Sequence, residues 1–370
     1  MKKILYTAVL ACSALWIACA EKSKQPVETV SFTEENVTFA QAQIGNEIEV
    51  IEASGKFMNP VTLKTDSTVY YCDYTDWRSG FFPGSVWYLY ELSGDTTLLS
   101  LAGKYTAAIE EAKKLDVHMS LYDEYGFPSG SMGAINADGV PRFMNKYPDA
   151  TIKRLDKVEY KVAVGESFEQ VVPAGKLMSV VAMDTLTKHR ISLEQYIRSG
   201  KLKWKVPEGA WKIMFFVCVK DGDPNVDYLD PEAVRLFVKE THQAYYDRFS
   251  PYFGNTIIET FFDEPTLYRA KGRIWTDAFN EKFISRYGES PELLYPALWY
   301  DIGEETQSAR NRLFGLRAHL YSEGFMKIIG EWASAHGIYS TGHQDQEEIA
   351  NPVGTSGDLM LCGKYMGIPG

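Results

Sequence analysis

Short apolar runs that end in two adjacent acidic residues occur twice in the chain. They are IIETFFDEP at residues 257–265 and MSLYDE at residues 119–124. The first run is continuous rather than alternating, which is typical of a buried parallel strand with helices on both faces. Both acidic pairs stand where a strand ends, and in a (β/α) barrel the carboxyl ends of the strands form the catalytic face.

Other parts of the sequence alternate between strand and helix patterns. Strands are also predicted at 226–229, 338–341 and 359–362, and helices are predicted after Asp230-Pro231, at 275–287 and at 309–336. A complete barrel needs eight strand–helix units and ~250 residues. The pattern supplies about five strands, so it predicts an incomplete (β/α)8 TIM-type barrel.

Two segments depart from the barrel pattern. Between 154 and 220, alternating β segments with Gly and Pro turns predict a small antiparallel insertion in a βα loop. Residues 31–115 are helical, with a helix at 31–50 and two helices joined by Ser-Gly-Asp at 93–95. This short connection between two helices predicts an αα-hairpin. The predicted domains are therefore a helical piece at 31–115 and a barrel at 116–370.

The first 30 residues have the pattern of a targeting segment. Lys2 and Lys3 precede an apolar run too short to span a membrane. The run ends in Ile17-Ala18-Cys19, which is similar to a bacterial lipobox with Cys19 as the lipidated residue. We expect a lipoprotein signal peptide at 1–19 and a linker at 20–30, with plain signal cleavage as the alternative. This pattern predicts an exported protein, periplasmic or an outer-membrane lipoprotein of a Gram-negative bacterium, that contacts the membrane only through its lipid anchor.

Composition narrows the class of partner. The formal net charge is −11 and no long basic run occurs, which argues against nucleic acid as a partner. Aromatic residues make up 14% of the chain, which suits either stacking on sugar rings or a barrel core. Trp77, Trp275 and Trp299 are the tryptophans for which stacking and core roles both remain open. Cys72, Cys218 and Cys362 are odd in number and widely spaced, and predict neither a disulfide framework nor a zinc site.

The paired acids suit glycoside hydrolysis, which needs a protonated acid and an ionised base or nucleophile beside the scissile bond. Adjacent carboxylates also push each other's pKa values apart. Glu264 is the first candidate for acid or base, and the alternative is a carboxylate that orients substrate or binds a metal. Asp263 is second, because neighbours in a strand face opposite ways and one of the two points into the barrel.

Further candidates follow the other predicted strands. Asp123 and Glu124 are expected to bind sugar hydroxyls or to be structural, with Glu124 the better placed to reach a pocket. His343 is expected to bind the sugar or a metal, or to be a structural histidine. Glu347 is a candidate for the second catalytic carboxylate. Glu347 and Glu348 alternatively form a solvated helix start, where acids favour the helix dipole.

The segment DWRSGFFPGSVWYLYELSGD at 76–95, followed by LAGKYT at 101–106, resembles the amino-terminal part of glycoside hydrolase family 88, the unsaturated glucuronyl hydrolases. The resemblance implies a fragment of an (α/α)6 toroid over residues 31–115 and places Trp77 in a substrate pocket. The family's next motif, which carries a catalytic aspartate, does not follow, because residues 116–118 lead directly into the run at 119–124.

From residue 110 onward the chain resembles glycoside hydrolase family 106-type α-L-rhamnosidases. The segments EEAKKLDVHMSLYDEYGFPSGSMG, IIETFFDEP, YSTGHQDQEE and GDLMLCGKYMGIPG carry this resemblance. It implies a truncated barrel, an inverting mechanism and Ca²⁺ held by carboxylates, with Glu264 and Glu348 as candidate ligands. Carboxylate oxygens are suitable Ca²⁺ ligands, although the sequence contains no calcium-loop motif.

Together these patterns predict a chimera-like chain that acts as a glycoside hydrolase. Its expected substrates are terminal, rhamnose-type sugars of plant or algal polysaccharides, hydrolysed by paired carboxylates. One alternative is an unsaturated glucuronyl hydrolase, by the N-terminal part. The other is a non-catalytic chimeric fragment or a surface glycan-binding remnant, because a barrel that lacks strands exposes sheet edges.

Overall fold

The structure is a computed structural model that describes residues 28–56, 58–72, 81–99, 109, 112–124, 127–131, 142–268, 270–345 and 352–369. Cys19, Trp77, Glu347 and Glu348 lie outside these residues, so their predicted roles stay predictions. The chain divides into two compact units, Met1–Thr106 and Ala107–Gly370.

Within the described residues, the first unit contains α1 (Glu28–Ser54), β1 (Asn59–Leu63), β2 (Val69–Cys72) and α2 (Phe81–Ser93), and residues 96–99 are also helical. The two strands pair antiparallel. Ile48 and Ile51 of α1 share a small buried core with Val86 and Leu89 of α2. Helix α2 ends at the predicted position because Gly94 adopts a φ of 68°, a left-handed conformation that favours glycine.

The second unit mixes strands and helices. Its described strands are β3 (Met119–Tyr122), β4 (Lys153–Lys161), β5 (Ser167–Val171), β6 (Lys176–Asp184), β7 (Arg190–Ser192), β8 (Ile197–Arg198), β9 (Lys201–Lys205), β10 (Trp211–Lys220), β11 (Ile257–Asp263), β12 (Arg273–Trp275) and β13 (Tyr339–His343). Its described helices are α3 (Arg142–Lys146), α4 (Pro231–Glu240), α5 (His242–Phe249), α6 (Phe279–Tyr287), α7 (Thr306–Tyr321), α8 (Lys327–Ala335) and α9 (Leu359–Gly363). A π-helical turn at Ser322–Met326 joins α7 to α8, so the long helical stretch predicted at 309–336 is confirmed.

Strands β3, β11 and β13 form a parallel sheet in the order β13-β11-β3. Tyr122 of β3 is in register with Phe261 of β11, and Asp263 of β11 is in register with His343 of β13. The carboxyl ends of the three strands therefore meet at one edge. Three parallel strands agree with a barrel-type sheet, and their closure into a barrel stays a prediction.

The predictions of barrel strands at 359–362 and 226–229 are wrong. Residues 359–362 form helix α9, because the Asp358 side chain accepts a hydrogen bond from the backbone N–H of Leu361 and caps the helix. Residues 226–229 contain an isolated bridge between Val226 and Thr151, followed by a turn. Asp227 Oδ1 accepts the backbone N–H of Leu229 at 3.1 Å, a local bond that competes with strand pairing.

The antiparallel pairing predicted between 154 and 220 is confirmed, and its place as an insertion in a βα loop stays a prediction. This segment contributes to a five-stranded sheet of order β12-β4-β10-β6-β7 and forms a three-stranded sheet of order β5-β9-β8. Trp204, Trp211 and Phe215 lie in a hydrophobic core that these two sheets share. Strand β12 comes from outside the predicted insertion and pairs with β4, which fixes the insertion to the rest of the second unit.

Helices cover one face of the parallel sheet. Phe262 of β11 is buried and contacts Phe325 of the π-helical turn edge to face, with 5.8 Å between ring centroids. Phe325 in turn stacks against Phe237 of α4. Because side chains alternate along a strand, Phe261 and Asp263 lie on the opposite face of β11.

Candidate active site

The face of the parallel sheet opposite the helices carries the candidate site. Tyr122 stacks on Phe261 with 5.7 Å between ring centroids, which places the last residues of β3 and β11 side by side. Asp263 lies two residues after Phe261, and Glu124 lies two residues after Tyr122. The period-2 alternation of an extended chain therefore directs Glu124 and Asp263 to the same side.

The Tyr122 hydroxyl joins the two carboxylates. Its oxygen is 2.8 Å from Asp263 Oδ2 and 3.0 Å from Glu124 Oε2. A phenol has a single hydrogen to donate. When Glu124 is protonated, all three groups are satisfied, because Glu124 donates to the Tyr122 oxygen and Tyr122 donates to Asp263.

Burial favours that protonation state. Desolvation, with the neighbouring charges of Asp263 and Glu264, raises the pKa of Glu124 to about 7 against an opposing hydrogen bond from Tyr122. A carboxyl group with a pKa near 7 can deliver a proton at neutral pH. The pKa of Tyr122 is raised far above its ordinary value by burial and by its bonds to the two carboxylates, so it stays a neutral donor.

Asp263 has a second neighbour across the sheet. Its Oδ1 lies 3.3 Å from Nδ1 of His343, the residue in register on β13. The His343 side chain is 62% exposed and that of Asp263 is 23% exposed. The ring of His343 packs edge to face on Phe261 with 5.0 Å between centroids. The structure therefore brings Asp263, Glu124 and His343 together, with the Asp263 and His343 side chains open to solvent.

Glu264 leaves the strand alternation. Its φ is 41°, an uncommon left-handed conformation for a residue other than glycine. Its backbone N–H donates to the carbonyl of His343 at 3.1 Å, so the chain still pairs with β13 as it turns. Pro265 follows, and its carbonyl accepts a hydrogen bond from the buried Tyr321 hydroxyl. This backbone strain at a sheet edge is typical of functional positions.

Asp123 lies on the other side of β3. Its side chain is 2% exposed and its Oδ1 accepts a hydrogen bond from the Ser129 hydroxyl at 2.6 Å. Burial raises its pKa to about 8. A sugar cannot reach a carboxyl group this deep, so direct contact with a sugar hydroxyl does not fit this position, whereas the structural role does.

Three residues that sequence reasoning missed take part in the arrangement: Tyr122, Ser129 and His242. Tyr122 has a signal in the sequence, because it stands two residues before Glu124 in a strand and must share its face. Ser129 and His242 have no such signal. Their contacts with Asp123 join a loop and a helix that only the fold brings together.

Two of the three candidate tryptophans, Trp275 and Trp299, lie among the described residues. Trp275 is completely buried, lies 3.9 Å from Phe279 between ring centroids, and donates its indole N–H to the Tyr295 hydroxyl. Trp299 is partly buried and covered by the guanidinium of Arg273 at 4.3 Å. Both are packed inside the protein rather than presented as stacking surfaces.

The described residues give no support to a metal centre. Within the described ranges, no group of three or more His, Cys, Asp or Glu is arranged to hold a metal ion. Glu124 and Asp263 offer the oxygen atoms that Ca²⁺ prefers, but both contact the Tyr122 hydroxyl in this arrangement. Among the described residues, every helix is too short or too polar to cross a membrane.

Comparisons with known proteins show two distant similarities. No protein-family model matches the chain. In sequence, 121 residues are 27% identical to the unsaturated glucuronyl hydrolase of Formosa agariphila, covering 31% of this chain and 29% of that protein. In structure, the chain is similar to the rhamnosidase from Novosphingobium sp. PP1Y, with a TM-score of 0.53 and 12% identity over 72% of this chain and 42% of that one.

The protein therefore has a mixed α/β fold that is similar to the fold of this rhamnosidase. At 12% identity the structural similarity shows the fold alone. The chain spans under a third of the curated relative's length and under half of the solved structure.

Proposed function

We propose that this protein is a glycoside hydrolase that removes terminal, rhamnose-type sugars from plant or algal polysaccharides. The observation that carries the proposal is the Tyr122 hydroxyl in contact with both Glu124 and Asp263 at the end of two parallel strands. Such an arrangement supplies a protonated acid beside a carboxylate, which glycoside hydrolysis requires. The similarities to a rhamnosidase and to a glucuronyl hydrolase support the same class.

In this mechanism Glu124 is the general acid. It delivers its proton to the glycosidic oxygen as the bond to the leaving group breaks, which offsets the negative charge that develops there. Asp263 faces the developing positive charge on the sugar ring. Tyr122 keeps the two side chains in fixed relative positions, and the exposed His343 is placed to contact sugar hydroxyls.

The spacing of the carboxylates bears on the stereochemistry. Because both contact one hydroxyl, the two contacting oxygens lie no more than about 6 Å apart. Inverting enzymes leave about 6.5–9.5 Å between acid and base for the attacking water. The short oxygen–oxygen distance favours the closer spacing of retaining enzymes for this pair, and an inverting reaction would have Glu264, which comes next in the chain, as the first candidate for a different base.

The test is release of rhamnose from an aryl α-L-rhamnoside by the purified protein, with and without Ca²⁺. We expect Glu124→Gln and Asp263→Asn each to lower kcat by at least about 100-fold, and Glu232→Gln, at an exposed position on α4, to leave activity unchanged. Proton NMR of the first product anomer separates retention from inversion. A folded protein that releases no rhamnose, or full activity in Glu124→Gln, would overturn the proposal.

Calcium dependence is a separate proposal. It rests on the predicted ligands Glu264 and Glu348, and loss of activity on chelation with recovery on addition of Ca²⁺ would support it. No step of the proposed mechanism involves the ion. Equal activity with and without Ca²⁺ would refute calcium dependence and would leave the proposed roles of Glu124 and Asp263 unchanged.

A second candidate function follows from the curated relative, whose name is unsaturated glucuronyl hydrolase. Hydrolysis of an unsaturated glucuronyl disaccharide by the same preparation tests it. If Trp77→Ala abolishes that activity and Glu124→Gln does not, the first unit carries the chemistry. Absence of both activities in a folded, sugar-binding protein would favour the non-catalytic alternative.

The proposed location is the periplasm or outer membrane, with Cys19 lipidated. Metabolic labelling with a palmitate analogue in a Gram-negative host would show a labelled product that Cys19→Ala abolishes. An unlabelled product of normal export would favour plain signal cleavage.

A further inference from the structure

The strongest unexplained feature outside the exposed carboxylates is a buried acid–histidine pair behind them. Asp123 and His242 have side chains that are 2% and 1% exposed, and Asp123 Oδ2 faces His242 Nε2 at 3.5 Å. Neither atom has a hydrogen-bond partner among the described residues. Buried polar atoms of this kind are costly unless paired, so a pair that persists needs a physical account.

We propose that Asp123 is a positioning residue that holds the backbone of Asp263 through Ser129, and that it does so as a neutral carboxyl group sharing its proton with His242. The inference rests on the proposed function, since it gives Asp263 a part in the reaction.

The link to Asp263 runs through both backbone groups of that residue. The Ser129 hydroxyl accepts the Asp263 N–H at 2.8 Å, and the Ser129 N–H donates to the Asp263 carbonyl at 2.9 Å. Since the Ser129 hydroxyl also donates to Asp123 at 2.6 Å, Asp123 fixes the direction of that hydroxyl. The buried Tyr228 hydroxyl bonds to the Ser129 carbonyl and fixes the other end of the residue.

The hydrogen bonds of His242 determine where the proton lies. Thr241 donates its single hydroxyl hydrogen to the Phe237 carbonyl at 2.8 Å, as in a helix. The Thr241 oxygen also lies 2.8 Å from His242 Nδ1, so it accepts and Nδ1 carries the hydrogen. In the neutral ring, Nε2 is then an acceptor that points at Asp123.

A proton between the two groups is therefore required. Without one, a lone pair of Nε2 would face a carboxylate in a buried, aromatic environment that includes Phe237 and Trp332. An ion pair would satisfy the geometry but leave two charges in a site with almost no solvent, which is costly. Burial raises the pKa of Asp123 to about 8 and lowers the pKa of His242 to about 3, and both shifts favour the neutral form of each group.

Asp123→Asn mimics a neutral carboxyl group. It therefore distinguishes a neutral positioning residue from an ionised Asp123 or from one that contacts the sugar. Its amide oxygen still accepts from Ser129 and its NH₂ group donates to His242 Nε2. We expect kcat and KM within about threefold of wild type. Asp123→Ala and Ser129→Ala remove the link, and misplacement of Asp263 should lower kcat by roughly 100-fold with little change in KM.

A spectroscopic measurement tests the proton position independently of any activity. In protein labelled with ¹⁵N-histidine, with His242 assigned from the His242→Gln variant, we expect a neutral ring protonated on Nδ1 between pH 6 and 8. A charged ring at neutral pH, or the Nε2–H tautomer, would overturn the proposal. So would a tenfold rise in KM for Asp123→Asn, which would indicate direct contact with the sugar. If no glycoside is hydrolysed, the proposed function fails while the NMR result still decides the proton position.

Discussion

The pKa of Glu124 predicts that removing its charge stabilises the protein in one pH range and not in another. Glu124→Gln keeps the size of the side chain and, through its NH₂ group, a donor for the Tyr122 oxygen, but cannot ionise. The folded-state pKa of about 7 lies above the ordinary value of 4.5. Stability from this group is therefore complete below about pH 4.5 and is lost as the pH rises through about 7.

The size of the stability change follows from how far the pKa of Glu124 is raised in the folded protein. Since each pKa unit corresponds to 1.36 kcal/mol, the ionised group costs the wild type at most about 3 kcal/mol above pH 7. The side chain is half-buried and solvent screens part of this cost, so we expect about 1–2 kcal/mol. The free energy of unfolding of Glu124→Gln, relative to wild type, should rise by that amount between pH 4.5 and pH 8.

The assay is urea unfolding of both proteins at intervals from pH 4.5 to pH 8.5. Glu159→Gln is the matched control with the opposite sign. Although burial raises the pKa of Glu159, hydrogen bonds from Lys157, Tyr300 and Lys212 lower it to about 2. Its charge therefore stabilises the fold at neutral pH, and Glu159→Gln should be less stable than wild type throughout this range.

A difference between Glu124→Gln and wild type that does not change with pH would refute the reasoning, because it would mean that Glu124 titrates at its ordinary pKa. The same titration predicts that wild-type kcat/KM falls as the pH rises above about 7, where the general acid loses its proton.

Three further substitutions test the fold around the site, each by chemical denaturation. Phe262→Ala should cost about 3–5 kcal/mol, because the ring is fully buried against Phe325, and a loss below about 1 kcal/mol would contradict the packing. Gly342→Ala should destabilise by about 1–3 kcal/mol, because a Cβ would lie 2.1 Å from the Phe262 carbonyl oxygen; an unchanged midpoint would mean that β13 pairs differently. Asp230→Ala should cost about 1 kcal/mol by removing the N-cap of α4, whereas Asp230→Asn should restore most of it.

The sequence alone was sufficient where a local rule acts by itself. The apolar run ending at Asp263 is a parallel strand, as predicted, but helices cover one of its faces and the candidate site lies on the other. Helix α2 ended at Gly94 and the segment 154–220 became antiparallel, because glycine conformation and alternating polarity are local properties. Local bonds also explain the failures, since single aspartate side chains directed residues 226–229 and 359–362 away from strands.

For the candidate site, too, the sequence predicted some features and the tertiary structure decided the others. That acidic pairs follow two strands could be read from the sequence, and strand alternation restricted which member of each pair shares a face. Which carboxylates meet could not be read, because the meeting depends on the register of β3 against β11 and on the Tyr122 hydroxyl between them. The proton-bearing state of Asp123 was equally hidden, since desolvation and its contact with His242 arise only when distant segments pack together and exclude water.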